Sequence, residues 1–216
     1  MNISVILAHP NPGSFNHAVA NVAVDALRQN GHQVVLHDLC QENFPALLSA
    51  AELRKDAKLE PVIAKHCAEI VAADGIIIVH PNWWGMPPAI LKGWIDRVLR
   101  MGIAYRFVAN DKGEGVPQGL LRAKSAIVFN TANTPDDRER EVFGDPLETL
   151  WKKCIFGLCG VNKVERRTFS VVVTSTPAQR AQWLVDVREI VGAHFPASKM
   201  AAVSRAGAGG LHSAEN

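Results

Sequence analysis

With 216 residues, 48% of them hydrophobic and 20% charged, the chain is long enough for one domain with a core of ordinary size. A net charge of +2 with no basic cluster argues against a nucleic-acid partner or a charged membrane surface. The opening MNISVILAH lacks the regions of a secretory leader, no run reaches the roughly 18 apolar residues of a membrane span, and Cys40, Cys67, Cys154 and Cys159 show neither CxxC nor zinc spacing, which suits free thiols and a cytoplasmic protein with no metal.

Short apolar runs alternate with longer helical patterns along the chain. Ile3 to Ala8 reads as a first strand. From Asn16 to Asn30 the residues Val19, Val22, Ala23, Ala26 and Leu27 line one helical face, and Gly31 stops it. Val34 to Leu36 is a second strand. Pro61 begins a helix carrying Val62, Ile63, Cys67, Ile70 and Val71. Gly75 to His80 is a buried strand, Ala89 to Leu99 a helix, and Ala126 to Asn130 a strand. Leu147 to Leu158 is helical, Val171 to Val173 a fifth strand, and Gln179 to Val191 a last helix. Asn110 to Gly115 is a polar connection that can cover a site. This alternation predicts an α/β fold with a five-stranded parallel sheet, order 2-1-3-4-5, and helices on both faces. One domain spans 1–195, and 196–216, with its Ala-Gly-Gly run, reads as a mobile tail.

In such a sheet, ligands bind beyond the carboxyl ends of the strands at the point where strand order reverses. Candidate loops there are 9–16, 81–88 and 130–135. The first joins a strand to a helix, whose N-terminal N–H groups attract phosphate without any lysine. Ser14 and Asn16 either contact that phosphate or only cap the helix, and His9 either donates to it or closes the turn. The second, PNWWGMPP, sets Trp83 and Trp84 side by side in a proline-stiffened loop, suited to stacking a planar heteroaromatic ring. The third, Thr131 to Thr134, offers backbone donors or is a plain polar turn. No GxGxxG or GxxxxGK is present. No GxSxG is present either, and Ser14 has no motif-placed base, which argues against a hydrolase.

The segments AHPNPGSFNHA, AADGIIIVHPNWWGMPPAILKGWIDRVL, GIAYRF and DKG together resemble the flavodoxin-like NAD(P)H:quinone oxidoreductase family, over roughly residues 1 to 195. That family includes bacterial ancillary subunits of potassium-efflux systems. The resemblance implies a flavodoxin-like sheet, a bound flavin, NADPH or NADH as hydride donor, and a homodimer with its active site between subunits. It assigns His9, Ser14, Phe15 and Asn16 to the flavin phosphate and ribityl chain. Pro81, Asn82, Trp83, Trp84 and Gly85 would cradle the isoalloxazine ring. Thr131, Ala132 and Asn133 would sit at its pyrimidine edge, and Tyr105 would enter the substrate pocket from the other subunit.

The chain departs from the family pattern in places. Ala132 and Asn133 stand where animal members have two glycines. VFGDPLETLW places Phe143 where they have a histidine, so Phe143 becomes an apolar wall. Tyr105, the only tyrosine, leaves none for a second family role. The segment between Pro45 and Pro61 is short, which favours FMN over FAD. The implied reaction is a ping-pong, two-electron reduction of a quinone or similar electrophile. The alternative is a regulatory flavoprotein serving an ion-efflux system through a peripheral contact with a membrane protein, or an electron carrier. A carrier is expected to be acidic, and this chain is slightly basic.

Overall fold

The computed structural model describes residues 1–54 and 56–197. Its elements are β1 (Asn2–Leu7), α1 (Phe15–Gln29), β2 (Gln33–Asp38), α2 (Pro61–Ala72), β3 (Gly75–Pro81), α3 (Ala89–Val98), β4 (Tyr105–Ala109), β5 (Gly115–Gly119), β6 (Ser125–Thr131), α4 (Asp136–Glu141), α5 (Pro146–Thr149), β7 (Lys163–Phe169) and α6 (Pro177–His194). Leu150 to Gly157 continues α5 with π-helical bonding. The five-stranded sheet runs β2-β1-β3-β6-β7, all pairs parallel. Counted within the sheet, that is the expected order 2-1-3-4-5. The region assigned to a tail lies outside the described residues from 198 onward. No helix among the described residues is long and apolar enough to cross a membrane.

β3 and β6 are buried along their whole length, so they read as continuous apolar runs rather than alternating ones. Successive side chains still point to opposite sides of the sheet. Ile77, Val79, Ile127 and Phe129 pack with α1 and with Trp183, Val187 and Val191 of α6. Ile76, Ile78, Ala126 and Val128 pack with Ile63 and Ile70 of α2, Leu91, Trp94 and Val98 of α3, and Trp151.

One expectation fails, and one hairpin goes unpredicted. The fifth strand is Lys163–Phe169, not Val171 to Val173. The sequence KVERRTF carries too many charges to read as a strand, but Arg166 is neutralised by ion pairs to Asp145 and Glu148. The valines instead form a turn whose Val172 N–H donates to the Ala132 carbonyl. The polar connection at 110–115 is the tip of an antiparallel β4–β5 hairpin. Its largely exposed strands, with Pro117 among them, hide the strand pattern.

The long connection from β2 to α2 is held by two arginines, Arg97 and Arg100, the latter donating to the Glu52 carbonyl at 2.6 Å. Arg97 of α3, 1% exposed, donates to both carboxylate oxygens of Glu52, to Glu60 and to the Pro45 carbonyl. A buried pair contributes little net stability, yet removing one partner strands the other charge. Arg97→Ala is therefore expected to lower the unfolding free energy by about 3–5 kcal/mol. Urea denaturation measures this, and a loss under about 1 kcal/mol would contradict the assigned role.

Candidate functional site

Because β1, β3 and β6 are neighbours, the loops leaving their carboxyl ends meet, and hydrogen bonds fasten them at Thr131. Asn82 N–H donates to the Thr131 carbonyl at 2.7 Å. Asn16 Nδ2 donates to Thr131 Oγ1 at 2.9 Å. The rings of His9 and Trp83, from the first and second loops, lie 6.1 Å apart. Loops predicted separately thus form one surface.

In the second loop, Trp83 and Met86 exchange backbone hydrogen bonds of 3.1 and 3.0 Å. The residues between them, Trp84 and Gly85, have φ of 58° and 70°. Glycine tolerates that conformation, but tryptophan is strained in it, and such strain concentrates at functional sites. Gly85 is also required by space, since a Cβ there would lie 2.7 Å from Pro146 Cγ. The turn leaves the Trp84 ring 100% exposed. A cavity of about 410 Å³ is lined by Asn82, Trp84, Thr134, Glu139, Phe143 and Pro146. Glu139, 8% exposed, accepts from Asn82 Nδ2 at 3.0 Å.

Behind this surface lies a buried network. His80 is fully buried and its Nδ1 donates to the Pro81 carbonyl at 2.8 Å. Its Nε2 accepts from Asn130 Nδ2 at 2.8 Å and from Trp151 Nε1 at 3.0 Å, which leaves no place for a second proton. Burial, reinforced by the nearby Arg166 charge, pushes His80 down to about 4. Arg166 donates to Asn130 Oδ1 and to Asp145. It therefore braces the β6 end, and through Asn130 and His80 the β3 end, against the chain carrying Phe143 and Pro146.

The structure sorts the predicted residues. Ser14 caps α1, accepting from His17 N–H, and the N–H groups of Phe15 and Asn16 open the helix with no intrahelical acceptor. The Phe15 ring packs against Phe169 and Trp183, with centroids 5.9 and 5.7 Å away, so only its backbone remains for a ligand. His9 is neutral-leaning, lowered chiefly by burial, and its Nδ1 accepts from Asn11 N–H. Ala132 corrects an expectation, because its N–H is occupied by the Phe169 carbonyl at 3.0 Å. Asn133 turns its Oδ1 to Val173 N–H. The N–H groups of Asn133 and Thr134 are left without a protein acceptor among the described residues. Phe143 does line the cavity, with the Arg138 guanidinium 5.7 Å from its ring centroid. Tyr105 is not brought to this cavity within one chain. It lines a separate one of about 610 Å³.

Sequence reasoning missed Glu139, hidden in the solvated-looking run DDRERE, and His80, whose position at the end of an apolar strand was a usable signal. It also missed a base beside Ser14, since His17 Nδ1 lies 2.9 Å from Ser14 Oγ. Elsewhere, donor atoms of His37, Glu42 and His66 lie within 4.8 Å of one another. Trp94 Nε1 donates to His66 Nδ1 at 3.1 Å, so the neutral ring carries its proton on Nε2, the atom facing Glu42 at 3.6 Å. Metal ligation requires that nitrogen bare. The cluster fits shared protons better than a cation.

The sequence matches the family model described as a flavodoxin-like fold over residues 1–191. A Haemophilus influenzae protein named as an uncharacterized NAD(P)H oxidoreductase is 37% identical over 173 residues, covering 78% of this chain and 83% of that one. The Rattus norvegicus NAD(P)H dehydrogenase (quinone) 1 is 30% identical over 203 residues, 83% of this chain and 72% of its own. Among solved structures, the NAD(P)H:quinone oxidoreductase of Methanothermobacter marburgensis superposes with a TM-score of 0.74 at 25% identity, covering 88% of this chain and 95% of that one.

The buried network makes stability depend on pH. The folded value of His80, about 4, lies below its ordinary 6.5, so the unfolded chain takes the proton first as pH falls. Stability from this group is complete above 6.5 and is lost from there down to about 4, roughly 3 kcal/mol in all. His66, also lowered to about 4, mainly by burial, adds to the same slope. Urea midpoints should hold nearly level from pH 7.5 to about 6.5 and fall from there to pH 5. A flat profile would show that His80 is not held neutral.

Proposed function

This chain belongs to the flavodoxin-like fold family, and from that premise we propose that it is a flavin-dependent NAD(P)H oxidoreductase reducing quinones or similar small electrophiles. The observation that carries this reading is the convergence of the three loops on Thr131 at the carboxyl edge of the sheet, the binding edge of such folds. The names of the Haemophilus influenzae and Rattus norvegicus relatives support it.

The residues present fit a flavin. The open N–H groups of Phe15 and Asn16 suit a phosphate. Asn16 Oδ1 is buried with no partner, and a ribityl hydroxyl would satisfy it. The exposed Trp84 ring offers a stacking face for the isoalloxazine. Asn82 Oδ1, a second buried acceptor without a partner, suits a ring N–H. The Asn133 and Thr134 amides suit the ring's pyrimidine edge, replacing the Ala132 donor expected there. FMN is favoured over FAD because Glu52 and the Pro45 carbonyl are tied to Arg97, which holds their segment against α3 rather than toward an adenine.

A bound flavin would supply the redox chemistry, taking a hydride from NADPH or NADH and handing two electrons to the acceptor. The protein's part is position and field. Preorganised N–H donors, worth ~3 kcal/mol each at comparable sites, would meet charge at the pyrimidine edge. Phe143, Pro146 and Trp84 would wall one pocket used by both substrates in ping-pong order. Trp83, Trp84, Met86 and Phe143 are 44%, 100%, 51% and 52% exposed, a surface that a partner or ligand normally covers. A homodimer would cover it and would bring Tyr105 of the partner subunit to the pocket, C2 being the commonest assembly.

Rapid mixing tests the reading. NADPH or NADH should bleach the bound flavin, and a quinone should restore its colour. Trp84→Ala should weaken flavin retention or slow bleaching, by up to about 3–5 kcal/mol for a packed aromatic. Parental retention and turnover in that variant would place Trp84 away from the flavin. Sedimentation should show a dimer, and a fully active monomer would contradict the shared pocket.

A further inference from the structure

The first turn of α1 carries a relay that the flavin assignment does not use. Asp38, at the end of β2, is oriented by the N–H groups of Cys40 and Gln41, which donate to its Oδ1 at 3.2 and 3.1 Å. Its Oδ2 lies 2.8 Å from His17 Nε2, so that nitrogen carries a proton. On the other side of the ring, His17 Nδ1 lies 2.9 Å from Ser14 Oγ. Both His17 and Asp38 have side chains only 13% exposed. The relay therefore lies in partly desolvated surroundings, where charge interactions strengthen.

With Nδ1 bare, the Ser14 hydroxyl must donate into the imidazole, and it has no proton to offer the space before the helix. With Nδ1 protonated, the ring donates to Ser14 Oγ, and the hydroxyl proton is released toward that space. The second state also sets a positive charge beside the positive end of the helix dipole. On its own that end disfavours the charge, and a phosphate dianion reverses the sign.

Two further titratable groups face the relay, and His17→Gln separates their protons from that of His17. His9, from the β1–α1 loop, meets His17 edge-on at 6.3 Å, and burial lowers it toward the neutral form. The Cys40 thiol is pushed up by burial and by the Asp38 charge, so it stays uncharged. Asp38 is the one anion bonded to His17 among the described residues.

We infer that His17 and Asp38 couple the binding of a flavin phosphomonoester to uptake of one proton from solvent at His17 Nδ1, with Ser14 passing the effect to the phosphate. The inference rests on the flavin reading above and names positioning residues that act through Ser14. It makes the site selective for a phosphorylated flavin over riboflavin, and most so at lower pH.

Calorimetric titration of the flavin-free chain tests it. The titration is run near pH 8, where a phosphomonoester with a second pKa of about 6 is already a dianion. Repeating it in buffers of different ionisation enthalpy counts the protons taken up. FMN should take up more protons than riboflavin, and FMN affinity should fall as pH rises while riboflavin affinity does not. FAD, whose phosphates are diesters, should take up fewer than FMN. In His17→Gln the difference between FMN and riboflavin should vanish, and in Asp38→Asn it should shrink. Equal uptake for FMN and riboflavin by the parent chain, or parental uptake in His17→Gln, would overturn the relay while leaving the flavin site standing. Binding of neither flavin would overturn both.

Discussion

Thr131 is where the architecture becomes a site. Its carbonyl accepts from Asn82 and its hydroxyl from Asn16, so the loops after β1, β3 and β6 cannot move independently. The junction is buried, with Thr131 itself 7% exposed. Hydrogen bonds made out of water stay directional and are costly to leave unmade. Behind it, a neutral His80 holds the Pro81 carbonyl, and Arg166 reaches Asn130 from the edge strand. The exposed surface is thus shaped by a buried polar network rather than by the aromatics that it displays.

That network allows the surface to be strained and apolar. Trp84 sits at positive φ with its ring in solvent. Both features oppose stability in the isolated chain and become useful once something packs against the ring. Gly85 permits the close approach of Pro146, which sets the width of the cavity. A flat ring fits the exposed tryptophan, a phosphate the opening of α1, and hydroxyl or amide donors the unpartnered oxygens of Asn16 and Asn82. One ligand class carrying all of these features in sequence is a phosphorylated flavin.

Much of this was legible in the sequence. Apolar runs at 3–8 and 75–80 and helical spacing after Asn16 are strong signals, because burial on both faces forces them. The reversal of strand order then locates the site without any catalytic motif. What stayed hidden depends on partners distant in the chain. β7 looks too charged until Asp145 and Glu148 are seen against Arg166. The Ala132 amide looks free until Phe169 is brought beside it by strand pairing. His17 looks like a polar helix residue until β2 delivers Asp38. Glu139 looks solvated until Asn82 donates to it.

If the Thr131 junction organises a flavin site, the purified chain carries the cofactor. The chain is purified, its visible spectrum recorded, and the pigment released by acid and identified by chromatography. A yellow protein with one flavin per chain, FMN rather than FAD, is expected. A colourless protein that takes up neither flavin on reconstitution would contradict it.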